Sequence, residues 1–168
     1  GEETHTADLV VGADGAYSAV RLCMQMNPRF NFSQNYLEHG YKELTIPAVS
    51  EGPHAPFALE PRALHIWPHG GSMMIALPNP DGSFTCTLFW PYDGIHGFNR
   101  FEGADPEEII GFFKAEYSNA VPFMPTLAED FQRNPTSPLL TIRCRPWTIG
   151  RTVLLGDSAH AIVPFYGQ

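Results

Sequence analysis

The sequence lacks the features that mark several common classes of protein. Its 168 residues include ten basic and eighteen acidic side chains, for a formal net charge of −8, and the basic residues form no cluster of more than two. Nucleic-acid binding is therefore disfavoured, because contacts with phosphates supply much of that affinity. No apolar run approaches the roughly 20 residues that a membrane-spanning helix needs, and the first residues do not have the pattern of a signal peptide.

Cysteine is also scarce, and its distribution argues against two kinds of scaffold. The three cysteines, Cys23, Cys86 and Cys144, lie far apart in the sequence. An odd number without close pairs argues against a disulfide framework and a zinc knuckle, and it is typical of a reducing compartment. We therefore expect an intracellular protein.

What is present indicates a globular, sheet-rich fold. Hydrophobic residues make up 43% of the chain, which is enough for a buried core. The chain has 15 glycines and 16 prolines, which predicts many turns. The hydrophobic patterns predict strands at 7–12, 39–47, 63–68, 72–78, 83–90, 138–147 and 152–155. Helices are predicted at 16–26, from Pro106 onward, around 125–132 and after Ser158.

The order of these elements predicts an α/β fold made of two parts. A strand, a turn and a helix occur at each end of the chain, and a mostly antiparallel β-sheet with helices lies between them. The simplest architecture is a Rossmann-like nucleotide-binding domain that a β-sheet domain interrupts. We expect residues 1–32 and 144–168 to be parts of the nucleotide-binding domain, and residues 33–143 to be the insertion.

The segment after the last predicted strand is the most informative part of the sequence. Gly156 and Asp157 directly follow a predicted buried strand, which places them at the edge where α/β sheets bind ligands. A carboxylate there can accept hydrogen bonds from the hydroxyl groups of a sugar alcohol. On the local pattern alone, Asp157 could equally cap its own helix.

A similar pattern occurs near the other end of the chain. Asp14 and Gly15 follow the first predicted strand, and Arg21 lies two helical turns further on. Arg21 could bind a phosphate, or it could form a surface ion pair worth less than about 1 kcal/mol. Because Asp-Gly turns are common, this motif by itself does not distinguish the two.

Together the two motifs resemble the fingerprints of the FAD-dependent aromatic-ring hydroxylases, the single-component flavoprotein monooxygenases. The first corresponds to Asp14, Gly15, Ser18 and Arg21, and the second to Gly156, Asp157, Ser158, Ala159, His160, Pro164, Gly167 and Gln168. They occur in the family's order, 157 − 14 = 143 residues apart. The strings HGYKELTIP (39–47), LHIWPHG (64–70), MMIALPNPDGSFTCTLFWP (73–91) and AHAIVPFYGQ (159–168) are similar to the members that hydroxylate L-kynurenine.

The resemblance implies the cofactors, the reaction and a set of binding residues. FAD, reduced by NADPH, would react with O2 to form a C4a-hydroperoxide that hydroxylates L-kynurenine to 3-hydroxykynurenine. The implied cofactor-binding residues are Asp14, Gly15, Arg21, Gly156, Asp157, Pro164, Gly167 and Gln168. No residue of this chain is an evident catalytic acid or base. The implied location is the mitochondrial outer membrane in a eukaryote or the cytoplasm in a bacterium.

The resemblance also implies an apolar wall for the ring of the substrate. Alternate residues of a strand share a face, so Met73, Ile75 and Leu77 are expected to point the same way. The implied substrate-binding residues are Leu64, Met73, Ile75, Leu77, Thr87, Phe89, Pro164 and Phe165. An apolar sheet face is more often simply part of a core. The family's glycine-rich FAD loop and its Arg and Tyr for the substrate carboxylate have no counterpart in this sequence, so we expect these 168 residues alone to bind FAD poorly.

Other interpretations remain open. One is a hydroxylase of the same superfamily with another ring substrate. A second is a GDS-type serine esterase with Ser158 as the nucleophile, although His160 is too close in sequence to be its base. A third is a non-catalytic binding module. His65 and His69 are four residues apart, but Pro68 interrupts their strand, so they need not converge and we expect no metal there.

Overall fold

A computed structural model describes residues 3–163 of the chain. The chain divides into two compact units. Unit 1 consists of Gly1–Leu37 and Leu139–Gln168, and unit 2 consists of Glu38–Pro138. The insertion expected from the sequence, residues 33–143, begins five residues before unit 2 and ends five residues after it.

The described residues form eight strands and three α-helices, which confirms the mixed α/β class. The strands are β1 (Val10–Gly12), β2 (Asn31–Ile46), β3 (His65–His69), β4 (Ser72–Pro78), β5 (Phe84–Pro91), β6 (Ser137–Arg145), β7 (Thr148–Ile149) and β8 (Thr152–Leu154). The helices are α1 (Ala19–Met24), α2 (Pro106–Glu116) and α3 (Leu127–Arg133). No helix within residues 3–163 is both long enough and apolar enough to cross a membrane.

Unit 1 contains a small sheet in which the two ends of the chain meet. Strand β1 pairs in parallel with β8, Val10 opposite Thr152 and Gly12 opposite Leu154, and β7 lies on the other side of β8. Helix α1 packs closely on this pair, because a Cβ atom added at Gly12 would lie 2.9 Å from side-chain atoms of both Leu154 and Val20. A glycine at this position therefore lets the helix approach the strands.

A larger sheet, with the strand order β3-β4-β5-β2-β6, contains the meander predicted from the sequence. Strand β3 pairs antiparallel with β4, β4 with β5, and β5 with β2. The connections at Gly70 and Gly82 both have positive φ angles, +56° and +89°, which suit hairpin turns. The predicted strands 72–78 and 83–90 agree with β4 and β5 to within one residue at each end.

The core of unit 2 is aromatic and lies between the sheet and helices α2 and α3. Trp90, which is fully buried, is surrounded by the rings of Phe98, Phe101, Phe112, Phe113, Tyr117 and Phe131 at centroid distances of 5.4–6.4 Å. Helix α2 begins as predicted, with Asp105 as N-cap and Pro106 at its first position. Ile109, Phe113 and Tyr117 are its buried stripe, also as predicted.

Several elements differ from the sequence-based expectation, among them β1, which begins three residues later than predicted, and β7, for which no strand was predicted. Strand β2 begins at Asn31, whereas the sequence predicts a strand only from His39. The first eight residues of β2 give no strand signal, because they are mostly exposed and lack the alternation that predicts a strand. Helix α1 covers Ala19–Met24 rather than the predicted 16–26. It begins after Ser18, whose side chain caps its first turn. The prediction of a helix after Ser158 is wrong for residues 159–163. These residues form irregular chain after a single 3-10 turn at Gly156–Ser158.

Candidate functional site

The two sequence motifs meet at the carboxyl ends of neighbouring parallel strands in unit 1. Asp14 follows β1 and Gly156 follows β8, and the backbone N–H of Leu155 donates a hydrogen bond of 2.9 Å to the carbonyl of Gly12. In a parallel sheet this edge is where loops bind ligands. We call the segment pair Asp14–Arg21 and Gly156–Ser158 the carboxyl edge.

The Asp14 carboxylate holds the carboxyl edge together. Its Oδ2 accepts hydrogen bonds from the backbone N–H groups of Ala19 (2.8 Å) and Val20 (3.1 Å), and its Oδ1 accepts one of 3.0 Å from the Ser158 hydroxyl. These bonds join one motif to the other and fix the start of α1.

The same environment favours the ionised form of Asp14. The pKa of its carboxyl lies well below the ordinary value of 3.8, mainly because of the Ser18 hydroxyl, with further contributions from the Val20 N–H and the Ser158 hydroxyl. Desolvation opposes this shift. Hydrogen bonds that stabilise the charged form lower the pKa of an acid, so Asp14 is a carboxylate at neutral pH.

Arg21 links the two motifs from the buried side. Its side chain is only 3% exposed, and its guanidinium donates to the carbonyl of Ser158 at 2.9 Å and to the carbonyl of Ala16. The guanidinium carbon lies 5.0 Å from the centre of the Phe32 ring, a cation–π contact. The structure thus places Arg21 as a connection between the two motifs rather than in a surface ion pair.

Ser158 has no exposed surface, and its hydroxyl donates to Asp14. His160 is exposed instead, with its ring stacked at 5.2 Å on Trp147. A serine nucleophile needs an accessible hydroxyl and a base within hydrogen-bond reach. The arrangement therefore argues against the serine-esterase interpretation.

Asp157 and the two glycines form the open part of the carboxyl edge. The Asp157 side chain is exposed and has no hydrogen-bond partner among residues 3–163, so it does not cap a helix. Gly15 and Gly156 have φ angles of +81° and +62°, and a Cβ added at either would meet no atom within 4 Å from the described residues beyond its chain neighbours. A free carboxylate beside two uncovered stretches of backbone can accept hydrogen bonds from hydroxyl groups of a ligand.

Four of the residues implied by the resemblance, Pro164, Phe165, Gly167 and Gln168, lie outside the described residues. The other implied cofactor-binding residues, Asp14, Gly15, Arg21, Gly156 and Asp157, all belong to the carboxyl edge. Of these five residues, Gly15, Gly156 and Asp157 are accessible to a ligand. Asp14 and Arg21 instead connect the two motifs.

The implied substrate-binding residues of unit 2 share one face of the sheet, opposite the aromatic core. Met73 pairs with Phe89 and Ile75 with Thr87 across strands β4 and β5. Leu77 lies on the same face two residues after Ile75, and Leu64 precedes β3 on that face by alternation. We call this surface the outer face.

The outer face is apolar but only partly covered. Ile75 and Phe89 are buried (4% and 3% exposed), whereas Leu64 and Leu77 are 44% and 38% exposed. The prediction from the resemblance omitted Ile66, which is 46% exposed and stands directly opposite Ile75. The hairpin turn at Gly70 fixes that register, so pairing outward from the turn would have identified Ile66.

His65 and His69 have separate partners, although both lie on β3. His65 Nε2 is 2.9 Å from the carbonyl of Glu60, while His69 Nε2 contacts the Glu116 carboxylate. The two imidazoles therefore do not converge on one ion.

A parallel strand pair with loops at its carboxyl ends is typical of nucleotide-binding α/β folds. Among solved structures, 2-methyl-3-hydroxypyridine-5-carboxylic acid oxygenase in its tetrameric form has a TM-score of 0.64 at 22% identity, covering 96% of this chain and 41% of that one. At that identity the likeness shows the fold. Residues 1–168 match the profile of one family, the FAD binding domain, and the chain belongs to this family.

Closer relatives share about half of their residues with the chain. Kynurenine 3-monooxygenase of Flavobacterium psychrophilum is 50% identical over 170 residues, covering 100% of this chain and 37% of that protein. Kynurenine 3-monooxygenase of Dictyostelium discoideum is 50% identical over 167 residues, covering 99% of this chain and 35% of that protein. The chain thus spans about a third of the length of these relatives.

Proposed function

We propose that this chain forms part of the FAD site and part of the substrate site of an FAD-dependent monooxygenase that hydroxylates L-kynurenine to 3-hydroxykynurenine, with NADPH and O2 as co-substrates. The joined carboxyl edge, with Asp157 left free, is the observation that supports a cofactor site. The similarity to kynurenine 3-monooxygenases along the whole chain supports the substrate.

The residues of the carboxyl edge fit FAD. Its ribityl chain carries hydroxyl groups, and the exposed Asp157 carboxylate can accept hydrogen bonds from them. The uncovered backbone at Gly15 and Gly156 leaves room for the cofactor to approach. Asp14 and Arg21 position the two motifs for the cofactor, because the hydrogen bonds of Asp14 with Ser158 and of Arg21 with Ser158 and Ala16 hold the motifs in place.

When bound, FAD would supply the redox chemistry, in which NADPH provides two electrons, one atom of O2 is inserted into the ring and the other leaves as water. The chain contributes an apolar surface for that step. The outer face offers the exposed aliphatic side chains of Leu64, Ile66 and Leu77 to an aromatic ring, and Thr87 lies on the same face. Such a surface orients the ring and excludes water, which favours transfer of oxygen over its loss as peroxide.

Truncation of a half-exposed residue of the outer face tests this proposal in the intact protein. We expect Leu77→Ala to lower kcat/KM for L-kynurenine by about tenfold, the scale of one to a few methylene groups in a hydrophobic pocket. NADPH oxidation should continue and yield hydrogen peroxide in place of 3-hydroxykynurenine. Product by chromatography and peroxide by a coupled assay measure the ratio.

Ile95→Ala is the matched control, because Ile95 is 70% exposed and lies in the loop after β5. It should leave both the rate and the coupling unchanged. If Leu77→Ala also leaves the coupling unchanged, the outer face is not the substrate wall. If the intact wild-type protein hydroxylates another ring and not L-kynurenine, the substrate assignment is wrong while the flavoprotein class stands.

A further inference from the structure

We propose that unit 2 contains a binding site for one Zn²⁺ ion, formed by His69, His96 and Glu116. Each residue offers one ligand atom, and these atoms lie within 4.8 Å of one another. The site is remote in sequence from the carboxyl edge, and it does not depend on the proposed function.

The three ligands come from separate elements of unit 2. His69 is the last residue of β3, Glu116 is the last residue of α2, and His96 lies in the loop between β5 and the 3-10 turn Phe98–Phe101. Sequence spacing could not reveal the group, because the three positions follow no local repeat. Only the packing of α2 against the β3–β4 hairpin brings them together.

One buried polar atom of the cluster, His96 Nδ1, points to a missing partner at this place. Glu116 Oε2 contacts His69 Nε2 and lies 4.0 Å from His96 Nδ1. Glu116 Oε2 has His69 Nε2 as its partner, whereas His96 Nδ1 is buried and makes no hydrogen bond within the described part of the chain. Buried polar atoms in native proteins almost always have a partner, and an ion between the three side chains would supply it.

The geometry of the two imidazoles suits a single ion. Their ring centres are 5.3 Å apart and their planes differ by 60°. Zn–N bonds of about 2.0–2.1 Å in a tetrahedral site place two imidazole centres about 5 Å apart. The rings therefore need little movement to share one ion.

Hydrogen bonds next to the ligands hold the site in place. The Ser72 hydroxyl donates to the carbonyl of His69 at 2.8 Å and lies 3.3 Å from the Tyr117 hydroxyl, which also accepts a bond of 3.0 Å from the Trp90 indole. Tyr117 directly follows Glu116. The end of the hairpin and the end of α2 are thus fixed to each other, which is the preorganisation that a metal site requires.

The donor set selects the ion. Two imidazoles and one carboxylate suit Zn²⁺, whereas Mg²⁺ and Ca²⁺ prefer oxygen ligands. Three protein ligands leave a fourth position for water. The side chains of His69 and His96 are 40% and 39% exposed, so solvent can reach that position.

Zinc binding by the full chain tests the proposal. After treatment with EDTA and its removal, we expect competition with a chromophoric chelator to show one Zn²⁺ per chain with micromolar or tighter affinity. Zn²⁺ should raise the melting temperature by several degrees, and Mg²⁺ should not. In the wild-type chain Co²⁺ should give the intense visible bands of a four-coordinate ion. Absence of stoichiometric Zn²⁺ binding, or a weak six-coordinate Co²⁺ spectrum, would overturn the proposal.

Variants then assign the ligands. We expect His96→Gln and Glu116→Gln to weaken Zn²⁺ binding by more than about tenfold, since even outer-shell partners of a metal are worth about 10–100-fold. His54→Gln is the matched control, because His54 pairs with Glu60 outside the cluster. Circular dichroism of the metal-free variants shows whether they fold. If they do not fold, the Co²⁺ spectrum of the wild-type chain tests the zinc site instead. Wild-type affinity in both folded ligand variants would contradict the assignment.

Discussion

The interior of each unit is stabilised by a different kind of interaction. Unit 2 has a core of large aromatic side chains around Trp90, most of them buried. In unit 1 the buried cluster around Met24, Cys144, Leu154 and Ala159 is small, and buried polar groups connect its parts. Arg21 and Ser158, 3% and 0% exposed, are the clearest of these groups.

This contrast corresponds to what each unit does in the proposed function. Apolar packing is non-directional, so it stabilises a sheet without fixing individual atoms. Hydrogen bonds to a carboxylate and a guanidinium have defined directions. In unit 1 they position two backbone turns at the carboxyl edge, where Asp157 has no hydrogen-bond partner among residues 3–163. Unit 2 instead supplies a surface, its outer face, for which shape and dryness matter more than the placement of a single group.

The largest effect should follow from removing the centre of the aromatic core. We expect Trp90→Ala to lower the free energy of unfolding by about 3–5 kcal/mol, the usual cost of truncating a buried large aromatic residue. It also removes the hydrogen bond to the Tyr117 hydroxyl. Urea denaturation followed by circular dichroism measures the loss.

Trp147→Ala is the matched control, since Trp147 is 48% exposed and stacks on His160. It should cost less than about 1.5 kcal/mol, the scale of a single aromatic pair. Equal losses in the two variants would mean that Trp90 is not the centre of the core of unit 2.

A smaller but still substantial effect should follow in unit 1 from replacing Arg21. Arg21→Met keeps most of the apolar stem and removes the bonds to the carbonyls of Ser158 and Ala16. We expect a loss of about 2–3 kcal/mol in the free energy of unfolding, because hydrogen bonds to a charged group are worth about 1.5–3 kcal/mol each and the methionine regains some burial.

Arg151→Met is the control for that substitution. Arg151 is exposed, and it forms an ion pair of 3.9 Å with the exposed Asp8. Exposed ion pairs contribute about 0–1 kcal/mol, so its stability should stay near that of the wild type. If Arg21→Met is equally harmless, the polar connection between the motifs does not stabilise unit 1.

The smallest effect concerns acid stability and Asp14. Since the pKa of Asp14 is lowered below its unfolded value of 3.8 by hydrogen bonds in the fold, the stability it contributes is present above about pH 4 and is lost as the pH falls. Asp14→Asn should therefore flatten the fall of the urea midpoint below about pH 4. Asp8→Asn, a change at an exposed carboxylate in the same unit, should keep the wild-type slope. An unchanged slope in Asp14→Asn would show that the carboxylate is not stabilised as described.

Much of the fold could be predicted because its strands have strong local patterns. The segments that became β4 and β5 combine apolar alternation with turn residues on both sides, and α2 has Pro106 and acids in its first turn. The first half of β2 could not be predicted in this way. Its residues are mostly exposed on both faces, so tertiary pairing forms that strand without a periodic signal.

The site residues that come directly after a strand could be predicted from the sequence. The residues whose roles depend on packing could not. The positions of Asp14 and Asp157 after two strands indicated a shared edge before the register was known. The roles of Ser158 and Arg21 as internal connections required the three-dimensional structure, since a serine or an arginine beside such a motif could equally contact a ligand. The proposed zinc ligands also required the structure, because three elements that are distant in sequence supply them.

The affinity of the intact protein for FAD tests the central claim most directly, namely that the carboxyl edge leaves Asp157 free to bind the cofactor. Flavin fluorescence quenching measures the dissociation constant. We predict that Asp157→Ala weakens FAD binding by about tenfold or more, since a hydrogen bond to a charged group is worth about 1.5–3 kcal/mol, while Asp8→Ala binds FAD like the wild type. Wild-type affinity in a folded Asp157→Ala variant would contradict the account.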